Sequence, residues 1–148
     1  MINRPDHDFF MKKAISMAEL AFEQGEVPVG AVLVCDGKII TKTHNQTELL
    51  NDATAHAEMM AITSACAHFN SKYLKDCILY VSLEPCPMCA AALYWTQIKT
   101  IVWAASDEKR GYSLFSPSLL HPSTEVISGL FATESRILMK QFFKERRD

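Results

Sequence analysis

Two short segments of the sequence, H-A-E and P-C-P-M-C, hold the residue types and spacing that could do chemistry. The first supplies an imidazole at His56 and a carboxylate at Glu58, and the second supplies two thiols at Cys86 and Cys89. One imidazole and two thiolates suit Zn²⁺, which leaves the carboxylate free for proton transfer. A structural zinc ion is normally closed by four protein ligands, whereas a catalytic one keeps a position for water. The segments therefore predict a catalytic zinc site.

The elements around these segments must bring their side chains together. Asp52 or Thr54 is the expected N-cap of a helix that runs to about 69, which puts His56 and Glu58 in its first turn. Residues two apart point to different sides of a regular helix, but a site beyond the helix end can be reached from both. The cysteines can share one face at the start of a second helix, where the helix dipole lowers thiol pKa values.

The rest of the chain alternates helical and strand patterns, which predicts an α/β fold. Asp36-Gly37 between two strand patterns indicates a tight hairpin, and the cysteine helix between two strands indicates a parallel crossover. Both faces of the first strand are apolar, so helices should cover both sides of the sheet. The predicted helices span 5–24, 52–69, the segment from the cysteines to 97, and 133–147. The predicted strands span 29–35, 38–44, 77–83, 99–105 and 124–128. Residues 106–123 are predicted to form a loop that could include a short helix.

Composition and charge narrow the class of protein. The 148 residues, 49% hydrophobic and 22% charged, predict one domain over 1–148. A charged N-terminus and the lack of an apolar run of membrane length predict a cytoplasmic protein with no membrane partner. Five cysteines without framework spacing argue against organising disulfides. With a net charge of −2, RNA contact would need a local basic patch, and we expect no DNA partner.

The pairing of H-A-E with P-C-x-x-C resembles the signature of the zinc nucleobase deaminases. Further segments resemble the bacterial tRNA-specific adenosine deaminases of the cytidine/deoxycytidylate deaminase superfamily, over almost the whole chain. These are GEVPVGAV at 25–32, Asn45, TAHAEM at 54–59, LYVSLEPCPMC at 79–89, SDEKRG at 106–111 and FFKERR at 142–147. The resemblance implies a three-layer α/β/α cytidine-deaminase-like fold with a central mixed five-stranded sheet, a homodimer, and a tRNA anticodon stem-loop as substrate.

The resemblance also implies roles for the four chemistry-bearing residues. His56, Cys86 and Cys89 would hold one Zn²⁺ per subunit, and Glu58 would be the catalytic proton shuttle. Zinc-bound hydroxide would attack C6 of the wobble adenine while Glu58 protonates N1, and loss of ammonia would leave inosine. The protein would thus be a hydrolase acting in tRNA processing.

Substrate-binding residues follow from the same resemblance. Asn45 would hydrogen-bond the flipped base, small residues at Gly30 and Ala31 would let the pocket wall approach it, and Asp107 would lie near the nucleotide backbone. From its position alone, Asn45 could equally cap a turn at a strand end. RNA contacts are expected from Lys109, Arg110, Phe142, Phe143, Lys144, Arg146 and Arg147, although a basic helix face is often only solvated.

Four alternatives to this interpretation stay open in the sequence. The C-x-x-C pair could be a redox pair, and a zinc site closed by Cys77 or His68 would be structural. A non-catalytic zinc-stabilised binding module is a third possibility, against which Glu58 argues. Pro87 gives a P-C-P-M-C form that also resembles free guanine deaminases, so the runner-up substrate is a free base or nucleotide such as guanine or deoxycytidylate.

Overall fold

The structure, a computed structural model, describes residues 4–115 and 118–147. In this part of the chain the helices are α1 (Arg4–Glu23), α2 (Ala57–Phe69), α3 (Pro87–Thr96) and α4 (Ala132–Arg147), with a short 3-10 helix at Tyr112–Leu114. The strands are β1 (Gly30–Cys35), β2 (Lys38–His44), β3 (Cys77–Leu83), β4 (Thr100–Ala105) and β5 (Glu125–Ser128). None of the described helices combines the length and apolar character needed to cross a bilayer.

The strands form one mixed sheet in the order β2-β1-β3-β4-β5. β1 is antiparallel to both of its neighbours, and β3, β4 and β5 run parallel to one another. The hairpin between β1 and β2 turns at Asp36 and Gly37, which both have the positive φ angles that this tight turn requires. The predicted mixed five-stranded sheet is confirmed.

Helices cover both faces of the sheet because its side chains alternate between two apolar clusters. One cluster joins residues of α1, among them Met11 and Ala14, to Val32 and Tyr80 on the sheet, with α4 packed against α1 and β4. The other joins residues of α2 and α3, such as Ala61 and Leu93, to the opposite face of the same strands. The predicted three-layer α/β/α fold is therefore confirmed.

The start of α2 differs from the prediction. The helix begins at Ala57 and its N-cap is His56, so Asp52 and Thr54 lie outside it. Asp52 Oδ1 instead accepts hydrogen bonds from Thr54 N at 2.8 Å and from Thr54 Oγ1 at 2.7 Å, which closes a local turn. The polar pair stabilises the loop before the helix, and the predicted N-cap was wrong.

Candidate active site

Two helix starts meet at one edge of the sheet and carry the predicted chemistry. His56 is the N-cap of α2, and Cys86 is the N-cap of α3, which begins at Pro87 with a backbone angle already suited to a helix. Neither N-cap side chain bonds the backbone of its own helix. Both side chains are therefore available to a common site beyond the helix ends.

The imidazole and the two thiols form a compact cluster. His56 Nδ1 lies 3.7 Å from Cys86 Sγ and 3.5 Å from Cys89 Sγ, and the three candidate ligand atoms all lie within 4.8 Å of one another. Zinc bonds of about 2.3 Å to sulfur and 2.0 Å to nitrogen, at a tetrahedral angle, would separate the two atoms by about 3.5 Å. The donor set and its spacing therefore fit a zinc ion with three protein ligands.

Hydrogen bonding within the cluster shifts the pKa values of the two thiols in opposite directions. Hydrogen bonds from Cys89 and His56 lower the pKa of Cys86 to about 4, although burial opposes this effect. Donation to Cys86, together with burial, raises the pKa of the Cys89 thiol. The hydrogen bond with Cys86 raises the pKa of His56. One thiolate is thus stabilised by donors from the other thiol and from the imidazole. A metal ion needs both thiols deprotonated and the imidazole neutral, so its binding would release the protons that Cys89 and His56 hold.

Glu58 lies in the first turn of α2 and is only 4% exposed. Burial raises the pKa of its carboxyl to about 7, with a further contribution from the charge of Cys86. A carboxyl group that titrates near neutral pH can both accept and return a proton during a reaction cycle. This environment distinguishes Glu58 from an ordinary surface carboxylate.

His56, Glu58 and Cys86 line an open cleft of about 1160 Å³. Several further residues predicted to bind substrate line the same cleft: Asn45, Asp107, Lys109, Arg110, Phe143 and Lys144. Of these, Asn45 is buried, and its Oδ1 has no hydrogen-bond partner within the described part of the chain. A buried amide oxygen without a partner is costly, so it is available to a ligand rather than committed to a turn.

Gly30 and Ala31 lie outside the cleft, contrary to the expectation that they form its wall. A Cβ at position 30 would overlap the backbone of Ala14 and Ala18, so the glycine lets α1 approach β1 closely. Ala31 is buried in the cluster under α2 and α3. Val29, one residue earlier, lines the cleft instead.

The C-terminal residues divide between the cleft and the packing of α4 on α1. Phe142 is buried with its ring centroid 6.1 Å from that of Phe22, and the Arg146 guanidinium carbon lies 4.6 Å from the Phe142 centroid. Arg146 also donates a hydrogen bond to the carbonyl oxygen of Gly25, just after α1. Phe142 and Arg146 therefore stabilise the fold and do not line the cleft. The side chain of Arg147 lies outside the described residues.

The sequence interpretation missed several residues of the site. Arg136 and Met139 line the cleft along one side of α4, together with Phe143, Lys144 and Lys140, which the sequence already places in the basic, aromatic tail. The basic residues at 136, 140 and 144 recur every four positions, a spacing that puts them on one helix face and could have identified the stripe.

Two buried carboxylates, Glu26 and Glu84, were also missed. Each one binds the backbone of a loop beside the cleft. Nothing in the local sequence signals these contacts, because each acceptor lies 22 or more residues from its donors.

The positions of the remaining candidate ligands exclude a closed structural site within the described chain. Cys77 begins β3 and pairs with Cys35 of β1, so the whole strand separates it from the cluster. His68 lies in the last turn of α2, at the opposite end from His56. Because His56 joins the two thiols in one cluster, the arrangement is that of a metal site and not of a simple redox pair.

The fold and the cluster define a class of protein. The sequence profile of the cytidine and deoxycytidylate deaminase zinc-binding region matches residues 4–105. The chain therefore belongs to this family of zinc-binding deaminases. Its similarity to curated relatives over nearly the whole chain places it in the tRNA-specific adenosine deaminase branch.

One relative is the tRNA-specific adenosine deaminase of Aquifex aeolicus, strain VF5, which is 46% identical over 147 residues, or 95% of this chain and 96% of the relative. A solved structure from a study of A-to-I editing by tRNA:A34 deaminases at the wobble position of transfer RNA is 42% identical with a TM-score of 0.83, covering 88% of this chain and 98% of that one. The guanine deaminase structure from Bacillus subtilis is 43% identical with a TM-score of 0.65, but covers 71% of this chain and 66% of that one.

Proposed function

We propose that this protein is a zinc-dependent hydrolase that converts adenosine to inosine at the wobble position of a tRNA anticodon loop. The observation that carries the proposal is the cluster of His56, Cys86 and Cys89, which borders the open cleft through His56 and Cys86 beside the buried carboxyl of Glu58. Relatives that act on tRNA and align over nearly the whole chain support the choice of substrate.

His56, Cys86 and Cys89 would hold one Zn²⁺ per subunit. When bound there, zinc lowers the pKa of a water molecule and so supplies a nucleophile near neutral pH. Two thiolates and a neutral imidazole balance the charge of the ion and leave a position for that water.

Glu58 performs the proton transfers. Its carboxylate accepts a proton from the attacking water and donates it to N1 of the adenine ring as oxygen adds to C6. The remaining proton of the added oxygen then passes through the same carboxyl to the amino group. The C6–N6 bond breaks, ammonia leaves, and the C6 carbonyl of inosine forms. The raised pKa of this carboxyl, about 7, suits a group that must change protonation state twice in each cycle.

Asn45 and the basic rim select the substrate. Oδ1 of Asn45 would accept a hydrogen bond from the base inserted into the cleft. Lys109 and Arg110 on one wall and Lys144 on α4 would bind the phosphates on either side of that base. An anticodon loop is already single-stranded, so splaying out its base costs less than opening a duplex. Lys109, Arg110 and Lys144 at the cleft supply local positive charge, which supports RNA contact despite the net charge of −2.

An exposed apolar surface on α3 supports a homodimer. Trp95 is 74% exposed, and Tyr94 and Met88 on the same helix are each more than a third exposed. Aromatic residues and methionine are enriched in the core of subunit interfaces. We propose that α3 packs against its equivalent in a second copy, and that the enzyme works in the cytoplasm, where its tRNA substrate is found.

The alternative substrate is a free base or nucleotide, and the similarity to the guanine deaminase of Bacillus subtilis favours guanine. That similarity covers less of both chains than the similarity to the tRNA deaminases. A free base also carries no phosphate for the cations of the cleft to bind, whereas an RNA substrate presents several.

A substrate panel tests the assignment. The zinc-loaded protein is incubated with an anticodon stem-loop that has adenine at the wobble position, and separately with free guanine, adenosine and deoxycytidylate. We expect inosine in the stem-loop and no ammonia from the three small substrates. Ammonia released from guanine with the RNA unchanged would replace the proposed substrate while keeping the zinc chemistry.

A further inference from the structure

Glu84 is a buried carboxylate that the proposed chemistry does not use. It directly follows β3, where its backbone nitrogen donates to the carbonyl oxygen of Ala105 at the end of β4. Its side chain is 3% exposed, yet it contacts no basic side chain that could balance its charge in the described structure. A buried charge must be stabilised by hydrogen bonds, and those of Glu84 all come from one loop.

Both ends of the loop at 107–113 bind this single carboxylate. Oε1 of Glu84 accepts a hydrogen bond from Asp107 N at 3.1 Å, and Oε2 accepts from Ser113 N at 3.0 Å and from Ser113 Oγ at 2.6 Å. Gly111 lies against the same group, and a Cβ there would overlap the carboxylate. Glu84 therefore contacts the loop at Asp107, at Gly111 and at Ser113.

The anchored loop carries two cations of the cleft rim. Oδ1 of Asp107 accepts hydrogen bonds from the backbone nitrogens of Lys109 and Arg110, at 3.1 and 3.0 Å, and so folds the segment into a turn. The side chains of Lys109 and Arg110 are exposed and line the cleft. The hydrogen bond from Asp107 N to Glu84 connects this turn, with its two charges, to the end of β3.

We propose that Glu84 is a positioning residue for the substrate: it sets the distance of Lys109 and Arg110 from the reacting base by holding the loop that carries them. The proposal rests on the proposed function for the nature of the substrate, but the anchoring itself does not depend on it. Glu84 lines the same cleft, but both of its carboxylate oxygens accept hydrogen bonds from the loop, so it acts through the loop and not on the reacting atoms. Glu84 therefore affects the affinity for the RNA and leaves the rate of the chemical step unchanged.

Glu26 supplies a matched control within the same chain. It is also buried, at 1% exposure, and its two carboxylate oxygens accept hydrogen bonds from Glu48 N at 3.0 Å and Leu49 N at 2.8 Å. The loop it holds borders the cleft at Thr47, but the segment 45–55 contains no lysine or arginine. Glu26→Gln therefore reproduces the loss of a buried anchor without moving any rim cation.

The anchoring is tested first, without substrate, by amide hydrogen exchange on the zinc-loaded protein. In Glu84→Gln the new amide group faces an N–H donor where an oxygen stood, so one end of the loop loses its acceptor. We expect faster exchange at Asp107 and Ser113 in this variant and an unchanged rate in 45–55, with the reverse pattern in Glu26→Gln. Equal exchange at Asp107 and Ser113 in wild type and Glu84→Gln would overturn the proposal.

The consequence for substrate is tested by kinetics on the stem-loop with adenine at the wobble position. We expect Glu84→Gln to raise KM about tenfold, to change kcat less than about twofold, and to flatten the salt dependence of kcat/KM as phosphate contacts weaken. Glu26→Gln should leave the salt dependence as in wild type. A fall in kcat with unchanged KM, or the same salt dependence in Glu84→Gln as in wild type, would contradict the positioning role.

Two controls keep the test decisive. Zinc content is measured in every variant, because Glu84 precedes the candidate ligand Cys86 by two residues. Ser113→Ala, which removes only the hydroxyl donor, replaces Glu84→Gln if that variant does not fold, and a smaller rise in KM is expected from it. If wild type itself leaves the stem-loop unchanged, the proposed function fails, while the exchange experiment still decides the anchoring.

Discussion

The centre of the cleft and its rim are built in different ways. At the centre, His56 and Cys86 are N-caps of two helices that pack on the sheet, and Glu58 and Cys89 follow within the first turn of each helix. The rim consists of loops and of one side of α4. The centre therefore inherits its geometry from short sequence spacings, whereas the rim depends on contacts between distant parts of the chain.

This difference separates two tasks. Proton transfer and metal binding need atoms placed within a few tenths of an ångström, which buried helix starts can provide. Binding of a flexible polyanion needs positive charges at roughly correct positions, and the loop held by Glu84 can provide these. Changes at the centre should abolish the reaction, and changes at the rim should weaken substrate binding while the reaction continues.

The largest effect is expected at the centre, from Cys86→Ser. Loss of one thiolate leaves two ligands for a soft metal ion, so bound zinc should fall well below one per subunit. Inosine formation on the stem-loop should drop below detection. Metal analysis of the purified variant checks this, and a variant that retains one zinc ion and wild-type activity would remove Cys86 from the ligand set.

Asn45→Ala lies at the boundary between the two regions. Because Oδ1 of Asn45 has no partner in the described structure, its removal should leave the melting temperature within about one degree. If this oxygen binds the substrate base, kcat/KM should fall about 10- to 100-fold, the value of one hydrogen bond in a buried site. Thermal melting and kinetics on the same samples check both parts. A large loss of stability without a loss of kcat/KM would make Asn45 a structural residue.

Lys144→Ala and Arg146→Ala separate the rim from the fold behind it. Lys144 lines the cleft, so its loss should raise KM several-fold and lower the salt slope of binding by about 0.7 for one phosphate contact. Arg146 bonds Gly25 and stacks on Phe142, so its loss should reduce the free energy of unfolding by about 1–2 kcal/mol. Denaturation and salt titrations distinguish the two, and an equal salt slope change in both variants would contradict the division.

Trp95→Glu should have the smallest effect on the chemistry, since Trp95 is on α3 outside the cleft lining. A charge in an apolar interface is poorly tolerated, so we expect self-association to weaken at least tenfold. Sedimentation measures the change, and kcat per zinc ion should stay within about threefold. An unchanged association state would place the subunit contact elsewhere.

The sequence predicts the centre of the cleft better than it predicts the rim. The zinc cluster, Glu58 and the order of elements depend on spacing and periodicity, which are local. The roles of Gly30 and Arg146 do not, since one fits against α1 and the other bonds a carbonyl 121 residues away. A basic residue near the C-terminus is the same in sequence whether it faces RNA or another helix. Only the packed structure shows that Lys144 lines the cleft and Arg146 does not.

The most direct test of the central claim compares wild type with Glu58→Gln on the anticodon stem-loop, at equal zinc content. A glutamine of nearly equal size cannot carry the proton, so we expect inosine formation to slow by about 10²–10⁴-fold while zinc and stem-loop binding stay as in wild type. A Glu58→Gln variant that forms inosine at the wild-type rate would contradict the claim that this buried carboxyl carries the proton transfers.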